Sequence, residues 1–95
     1  MHKTDLVTAV AQRTGLNNDK ADAVVSAFIE LVTNALSRNE SVALTGFGSF
    51  AVVQRAARTG RNPSTGAEIM IAARQDVVFK PGKTFKEAVR HSTAL

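Results

Sequence analysis

The stretch GRNPSTG at residues 60–66 limits the fold of this chain more than any other part of the sequence. Gly60, Pro63 and Gly66 fall within these seven residues, which argues against a helix and for a turn. The surrounding segment, residues 54–75, is polar and basic, with few apolar side chains larger than alanine. Two strands of roughly ten residues each would extend about 30 Å, further than so small a domain covers. We therefore predict a two-stranded β-ribbon, called the arm below, that has no core of its own.

Arginines are spaced along this arm. In an extended strand, a spacing of three residues places Arg55 and Arg61 on one side and Arg58 on the other. Guanidinium groups match phosphate oxygens, so such a ribbon suits a groove between two rows of phosphates. The sequence also predicts a type I turn that starts at Asn62, with Pro63 stiffening its second position. An exposed proline at a basic tip further fits a wedge between base pairs of DNA.

The positive charge is concentrated in the second half of the chain. The net charge is +4. Residues 1–53 hold four basic and five acidic side chains, whereas residues 54–95 hold eight basic and three acidic ones. The first half therefore reads as a scaffold and the second as a surface for a polyanion.

The small size of the chain points to a partner subunit. A chain of 95 residues suits one domain with a marginal core. The chain has no cysteine, and His2 and His91 lie at opposite ends, so disulfides and a zinc site are not expected. The sequence shows no signal-peptide pattern and no apolar run near the ~20 residues of a membrane span. We expect a soluble intracellular protein without a cofactor.

Hydrophobic periodicity predicts two N-terminal helices. The first covers residues 3–14 and ends at Gly15, and the second covers residues 18–38 and begins after the N-cap Asn17. The apolar stripe of the second helix is wide. It is explained either by burial between the first helix and a sheet or by contact with a second subunit.

The remainder predicts a sheet and a short helix, so the class is α+β. Residues 41–53 read as a hairpin that turns around Gly46 and Gly48. After the arm, whose returning strand covers residues 67–73, a third sheet strand is predicted at 77–79 and a helix at 83–91.

Four stretches together resemble the bacterial histone-like DNA-binding proteins of the HU/IHF family. They are KTDLVTAVA (3–11), TGFGSF (45–50), RAARTGRNPSTG (55–66) and FKPGKTFKEAV (79–89). The likeness covers residues 1–90. It implies an intertwined homodimer with two N-terminal helices, a three-stranded antiparallel sheet, an extended β-ribbon arm and a short C-terminal helix. It also implies a cytoplasmic protein of the bacterial nucleoid whose arms wrap the minor groove of double-stranded DNA.

The resemblance divides the single domain, residues 1–95, into parts. These are a helical dimerisation base (1–40), the sheet with the arm (41–81, arm about 54–75), the C-terminal helix (82–91) and a tail (92–95) without an assigned role.

The resemblance also implies site residues. On the arm it assigns DNA contacts to Arg55, Arg58, Arg61, Asn62, Pro63 and Arg74, with Pro63 as the intercalating residue. In the saddle beneath the DNA it assigns contacts to Lys3, Gly46, Gly48, Ser49, Lys80, Lys83 and Lys86. It places Phe28, Phe47, Phe50 and Phe79 in the dimer core. The residues themselves support the saddle, because glycine lets backbone N–H groups approach phosphate and Lys83 and Lys86 share a helix face.

Two positions depart from the family pattern. Ala72 stands where many relatives have proline, and Asp76 places an acid near the base of the arm. The short N-terminus and the arm pattern favour the HU type, which binds with little sequence preference and favours bent, nicked or gapped DNA. The alternative is an IHF-type subunit, which reads sites through DNA deformability. A heterodimer with a paralogue stays open.

Functions of other classes fit less well. No acid–base pair, metal cluster or activated nucleophile stands out, so an enzyme is not expected. A pure oligomerisation module explains the apolar helix stripe but not a basic arm. RNA binding is possible through charge but secondary, since the chain has no tyrosine or tryptophan for base stacking.

Overall fold

The computed structural model describes residues 1–91, and within them it confirms the α+β class. The predicted tail, residues 92–95, lies outside the described residues. The elements follow in the order α1 (Lys3–Thr14), α2 (Asn18–Ser37), β1 (Val42–Leu44), β2 (Gly48–Arg55), β3 (Arg58–Arg61), β4 (Glu68–Ile71), β5 (Arg74–Pro81) and α3 (Lys83–Arg90).

Local capping fixes the predicted boundary between the two N-terminal helices. Gly15 adopts the left-handed conformation with φ 77°, and its N–H donates to the Ala11 carbonyl at 3.0 Å. Asn17 is the N-cap of α2, because its Oδ1 accepts a hydrogen bond from the Lys20 N–H at 2.8 Å. Both hydrogen bonds provide partners for backbone groups that would otherwise be unpaired at a helix end.

Helix α1 packs on α2 around a small core. The buried apolar side chains of the described residues are Val7, Ala11, Ala21, Val25 and Leu36. The first four form one cluster between the two helices. A core of this size gives one chain little apolar burial, in line with the sequence-based expectation of a marginal core.

The sheet has the order β1–β2–β5, and every pairing in it is antiparallel. In the arm, β3 pairs with β4 as a separate two-stranded sheet. Arg55 lies opposite Arg74 at the end of the first sheet, and Arg58 lies opposite Ile71 at the start of the second. Two residues on each strand separate these pairs, so the register runs unchanged from the sheet into the arm.

The interruption between sheet and arm differs from the predicted strands. The returning strand was expected over residues 67–73 and the third sheet strand over 77–79. In the structure β4 ends at Ile71, and β5 already begins at Arg74. The unpaired positions carry only exposed alanines, Ala56, Ala57, Ala72 and Ala73. Methyl groups make weak cross-strand contacts, which explains why pairing lapses here.

The arm makes the molecule elongated. Its radius of gyration is 18.9 Å and its principal extents are 57 × 36 × 27 Å. A compact domain of this length has a radius of gyration of about 12 Å. The predicted reach of the arm beyond the body is therefore confirmed.

Helix α3 is held against the turn between β1 and β2. The Phe85 N–H donates to the Gly46 carbonyl at 3.1 Å, and the Gly82 N–H donates to the Phe47 carbonyl at 2.8 Å. The Phe85 ring lies edge-on to Phe47 with centroids 5.0 Å apart, and to Phe79 at 6.0 Å. These bonds place the first turn of α3 beside the glycine turn.

Large apolar side chains remain exposed on the body of the single chain. On α2 these are Val24, Phe28, Ile29 and Leu31, of which Leu31 is 69% exposed. On the turn and sheet they include Phe47, Val77 and Phe79. An apolar surface of this extent on a monomer marks an interaction site.

Candidate nucleic-acid interface

The tip of the arm is a tight turn stabilised by Asn62. Its carbonyl accepts from the Gly66 N–H at 2.7 Å, and its N–H donates to the Ala67 carbonyl at 2.9 Å. Its side-chain Oδ1 accepts from the Ser64 N–H at 2.8 Å. Gly66 has φ 72°, a conformation that glycine adopts without strain. The closing bond spans five residues, one more than in the predicted type I turn, and Pro63 is exposed.

Arg61 belongs partly to the tip itself. Its Nη1 donates to the Gly66 carbonyl at 3.0 Å, and its Nη2 lies 3.8 Å from Oε1 of Glu68, its cross-strand neighbour. The side chain is still 71% exposed.

Arg58 and Arg61 lie on opposite faces of the ribbon, as the alternation of strand side chains predicts. Arg58 forms no ion pair with another described residue.

At the base of the arm, Asp76 joins two arginines. Its Oδ1 lies 3.1 Å from Arg74 Nε, and its Oδ2 lies 3.2 Å from both Arg74 Nε and Arg55 Nε. The hydrogen bond from Arg74 lowers the pKa of Asp76 most, partial burial opposes it, and the bond from Arg55 lowers it further. The net pKa is below the ordinary value for aspartate. The sequence placed Asp76 near this site but gave no sign of the pairing, which depends on the strand register.

The saddle lysines lie on three elements. Lys3 begins α1, where its Nζ lies 3.7 Å from Oδ1 of Asp22. Lys80 lies on β5 opposite Ser49 of β2, so both share one face of the sheet. Lys83 and Lys86 lie on α3. The three lysines of β5 and α3 form no ion pair with the described residues, which leaves their charges available to an anion.

Gly46 and Gly48 have structural reasons to be glycine. Gly46 has φ 82°, and its carbonyl accepts the Phe85 amide. A Cβ added at Gly48 would lie 2.6 Å from the Lys80 carbonyl oxygen and 2.7 Å from the Phe79 ring. In this structure the two glycines allow the turn, β5 and α3 to pack closely together. The approach of their backbone N–H groups to phosphate stays a prediction.

The phenylalanines predicted for the dimer core lie in two places within the single chain, and their role in a dimer stays a prediction. Phe79 has ring centroids 5.4 Å from Phe47 and 4.9 Å from Phe50. Phe85 also belongs to this cluster. The sequence predicted only that Phe85 and Val89 share one face of α3, not that Phe85 contacts the other rings. Phe28 lies on α2, 48% exposed, and makes no ring contact with the cluster among the described residues.

Neither a membrane-spanning helix nor a cluster of metal ligands is found within residues 1–91. No described helix has the length and apolar character needed to cross a bilayer. The same residues hold no group of three or more histidine, cysteine, aspartate or glutamate side chains arranged to bind a metal ion.

Comparison with known proteins places this geometry in a family. A family profile described as bacterial DNA-binding protein matches residues 1–90. DNA-binding protein HU of Haemophilus influenzae is 49% identical over 90 residues, which cover 95% of this chain and 100% of that protein. DNA-binding protein HU of Geobacillus stearothermophilus is 48% identical with the same coverage.

Solved structures agree with the sequence matches. An Anabaena HU–DNA cocrystal structure has a TM-score of 0.88 at 41% identity, covering 97% of this chain and 100% of that one. HU from Thermotoga maritima has a TM-score of 0.67 at 30% identity, covering 94% and 98%. By sequence and by fold, this chain belongs to the bacterial DNA-binding protein family that includes the HU proteins.

Proposed function

We propose that this protein is an HU-type architectural protein that bends, wraps and compacts double-stranded DNA with little sequence preference. Architectural DNA binding is supported for the family as a whole. The observation that carries the finer proposal is the arm. It is a basic ribbon in continuous register with the sheet, and it ends in a turn with an exposed proline.

The first step is neutralisation of phosphates. Arg58 on the arm and Lys80, Lys83 and Lys86 on the body carry charges without ion-pair partners among the described residues. Each phosphate that such a group neutralises releases condensed counterions from DNA. This contribution does not depend on sequence, and it gives the protein affinity for any duplex.

The second step is a kink in the minor groove. Pro63 is exposed at the arm tip, and the hydrogen bonds of Asn62 fix the turn around it. A rigid apolar wedge unstacks one base step at a cost of a few kcal/mol. The bend brings the flanking DNA towards the saddle lysines, whose contacts offset that cost. A nick or gap removes part of the bending energy, so distorted DNA binds more tightly.

The working unit is a homodimer. The exposed apolar side chains of α2 and of the sheet gain burial when a second copy covers them, and one chain alone has only a small core. Two copies also provide two arms, one for each side of a bend. A paralogous chain of similar surface would satisfy the same requirement.

A competitive gel shift at fixed salt tests the function. It compares an intact random duplex, the same duplex with a nick or gap, and RNA of matched length. We expect the distorted DNA to bind most tightly, and its advantage to persist when the sequence is scrambled. Strong dependence on one sequence would indicate the IHF-type alternative, and preference for RNA would contradict the proposal.

A further inference from the structure

At the base of the arm, the carboxylate of Asp76 is bound by two arginines. Asp76 lies between Arg55 on β2 and Arg74 on β5, and both of its carboxylate oxygens accept hydrogen bonds from guanidinium Nε atoms. The two arginines face each other across the ladder. Without the carboxylate, two like charges would stand opposite one another, which destabilises a strand pair.

The carboxylate occupies the groups that a phosphate would use. A guanidinium binds carboxylate and phosphate through the same planar arrangement of N–H donors. Each arginine is 56% exposed, and Asp76 is 32% exposed, so solvent and an incoming ligand reach the cluster. A phosphate that docks here therefore competes with a carboxylate that is already in place.

The carboxylate remains charged under ordinary conditions. Arg74 on its own strand and Arg55 on the neighbouring strand are the charged groups that contact it among the described residues, and together they hold its pKa below the usual range. Mild acid therefore does not release the arginines. Near neutral pH, another anion or removal of the acid is needed to release them.

We infer that Asp76 lowers the affinity of this protein for DNA, because it acts as an internal counter-ion that competes with phosphate for Arg55 and Arg74. The inference rests on the proposed function, in which these two arginines contact DNA. Binding then includes an exchange at the base of the arm, in which phosphate replaces the carboxylate. The released carboxylate, close to the DNA backbone, takes up a cation and reduces the net counterion release.

The test is the variant Asp76→Asn, which keeps the shape and removes the charge. Affinity for a short random duplex is measured by fluorescence anisotropy over a series of salt concentrations. The matched control is Glu40→Gln, which removes one negative charge from an exposed ion pair with Arg38 at 3.3 Å. We expect Asp76→Asn to bind roughly 2- to 30-fold more tightly, the range for two exposed ion pairs, with a steeper salt dependence. Glu40→Gln should change little.

A double-mutant cycle separates competition from simple repulsion between Asp76 and DNA. The same substitution is made in a chain that carries Arg55→Gln and Arg74→Gln. If Asp76 acts by occupying the arginines, its removal gives no gain in this background. A gain that persists without the arginines would overturn the inference, as would an affinity for Asp76→Asn equal to or weaker than that of the unmodified chain.

The unmodified chain gives a second readout that does not depend on how the variants fold. In NMR spectra, the Nε–H signals of Arg55 and Arg74 should shift when DNA is added, because their acceptor changes. Unchanged signals in a DNA-bound protein would contradict the exchange. If the unmodified chain binds no DNA at all, the proposed function itself fails, an outcome distinct from the failure of this inference.

Discussion

At Gly48 a single added carbon has no room. Its φ is 153°, and a Cβ would approach the Lys80 carbonyl to 2.6 Å and the Phe79 ring to 2.7 Å. The obstruction includes backbone, which does not move aside as a flexible side chain does. Gly48 pairs β2 with β5 beside the aromatic cluster. A displacement of the backbone at Gly48 therefore also displaces α3.

We predict that Gly48→Ala lowers the free energy of unfolding by about 1–3 kcal/mol, the usual range for overpacking. Urea denaturation at fixed protein concentration measures this change. Gly15→Ala is the matched control. Gly15 also has a positive φ, but nothing lies within 4 Å of its added Cβ. Gly15→Ala measures the cost of an added Cβ at positive φ without a steric clash, and a loss for Gly48→Ala no larger than for Gly15→Ala would contradict the steric explanation.

Asp76 also makes stability depend on pH. Its pKa is lowered in the folded protein, so the unfolded chain binds the proton first as the pH falls. The stabilisation is present above the ordinary aspartate pKa of about 3.9, and it is lost as the pH falls through the lower folded value. In thermal melts, the unmodified chain should lose its advantage over Asp76→Asn only below about pH 4. A difference that does not vary with pH would be inconsistent with this assignment.

At the scale of elements, the arm is a ribbon that its own residues barely cover. Its cross-strand contacts are small: they include the ion pair between Arg61 and Glu68 at 3.8 Å and the Ile71 side chain over Gly60, with Cδ1 2.8 Å from where a Cβ would be. Met70 is 73% exposed and Ile69 is 44% exposed. Such a ribbon presents its basic and apolar groups together, which suits insertion into a groove of DNA.

We predict that Pro63→Ala reduces DNA bending while it weakens binding to an intact duplex by less than about tenfold, because phosphate contacts supply most of the affinity. Energy transfer between dyes at the two ends of a duplex measures the bend. Pro81→Ala serves as the control, since Pro81 is the other proline of the chain and ends β5. Full bending by Pro63→Ala would exclude the wedge.

The sequence predicts the elements better than it predicts their contacts. Helix ends are set by local groups, such as the Asn17 side chain and the left-handed Gly15, so the boundary between α1 and α2 is visible in the residues themselves. The lapse in pairing at the exposed alanines and the Asp76 cluster depend on which residues the register places opposite each other. The register depends on two strands that are distant in the sequence, so the residues of either strand alone do not predict it.

At the scale of the whole molecule, the exposed apolar surface sets the expected assembly. Phe28 lies in the middle of α2, 48% exposed, close in sequence to Ile29 and Leu31, which are also exposed. Burial of one such side chain contributes about 1.5–3 kcal/mol, and a symmetric dimer has two of them. The proposed dimer therefore depends strongly on this face.

We predict that Phe28→Arg raises the dissociation constant of the dimer by roughly 10²- to 10⁴-fold, as measured by sedimentation at several protein concentrations. Met70→Arg likewise replaces an apolar side chain with arginine, but on the exposed arm, and this control should leave the dimer intact. Equal sedimentation of the two variants would place the interface elsewhere.

The unchanged register from the body to the tip restricts how the arm can vary in length. An extra residue in one strand alone turns every side chain beyond it to the opposite face. Equal additions to both strands keep the pairing, but only an even number keeps Arg58 and Arg61 on their present faces. Insertions that preserve this geometry therefore come as two residues per strand, each adding about 7 Å of reach.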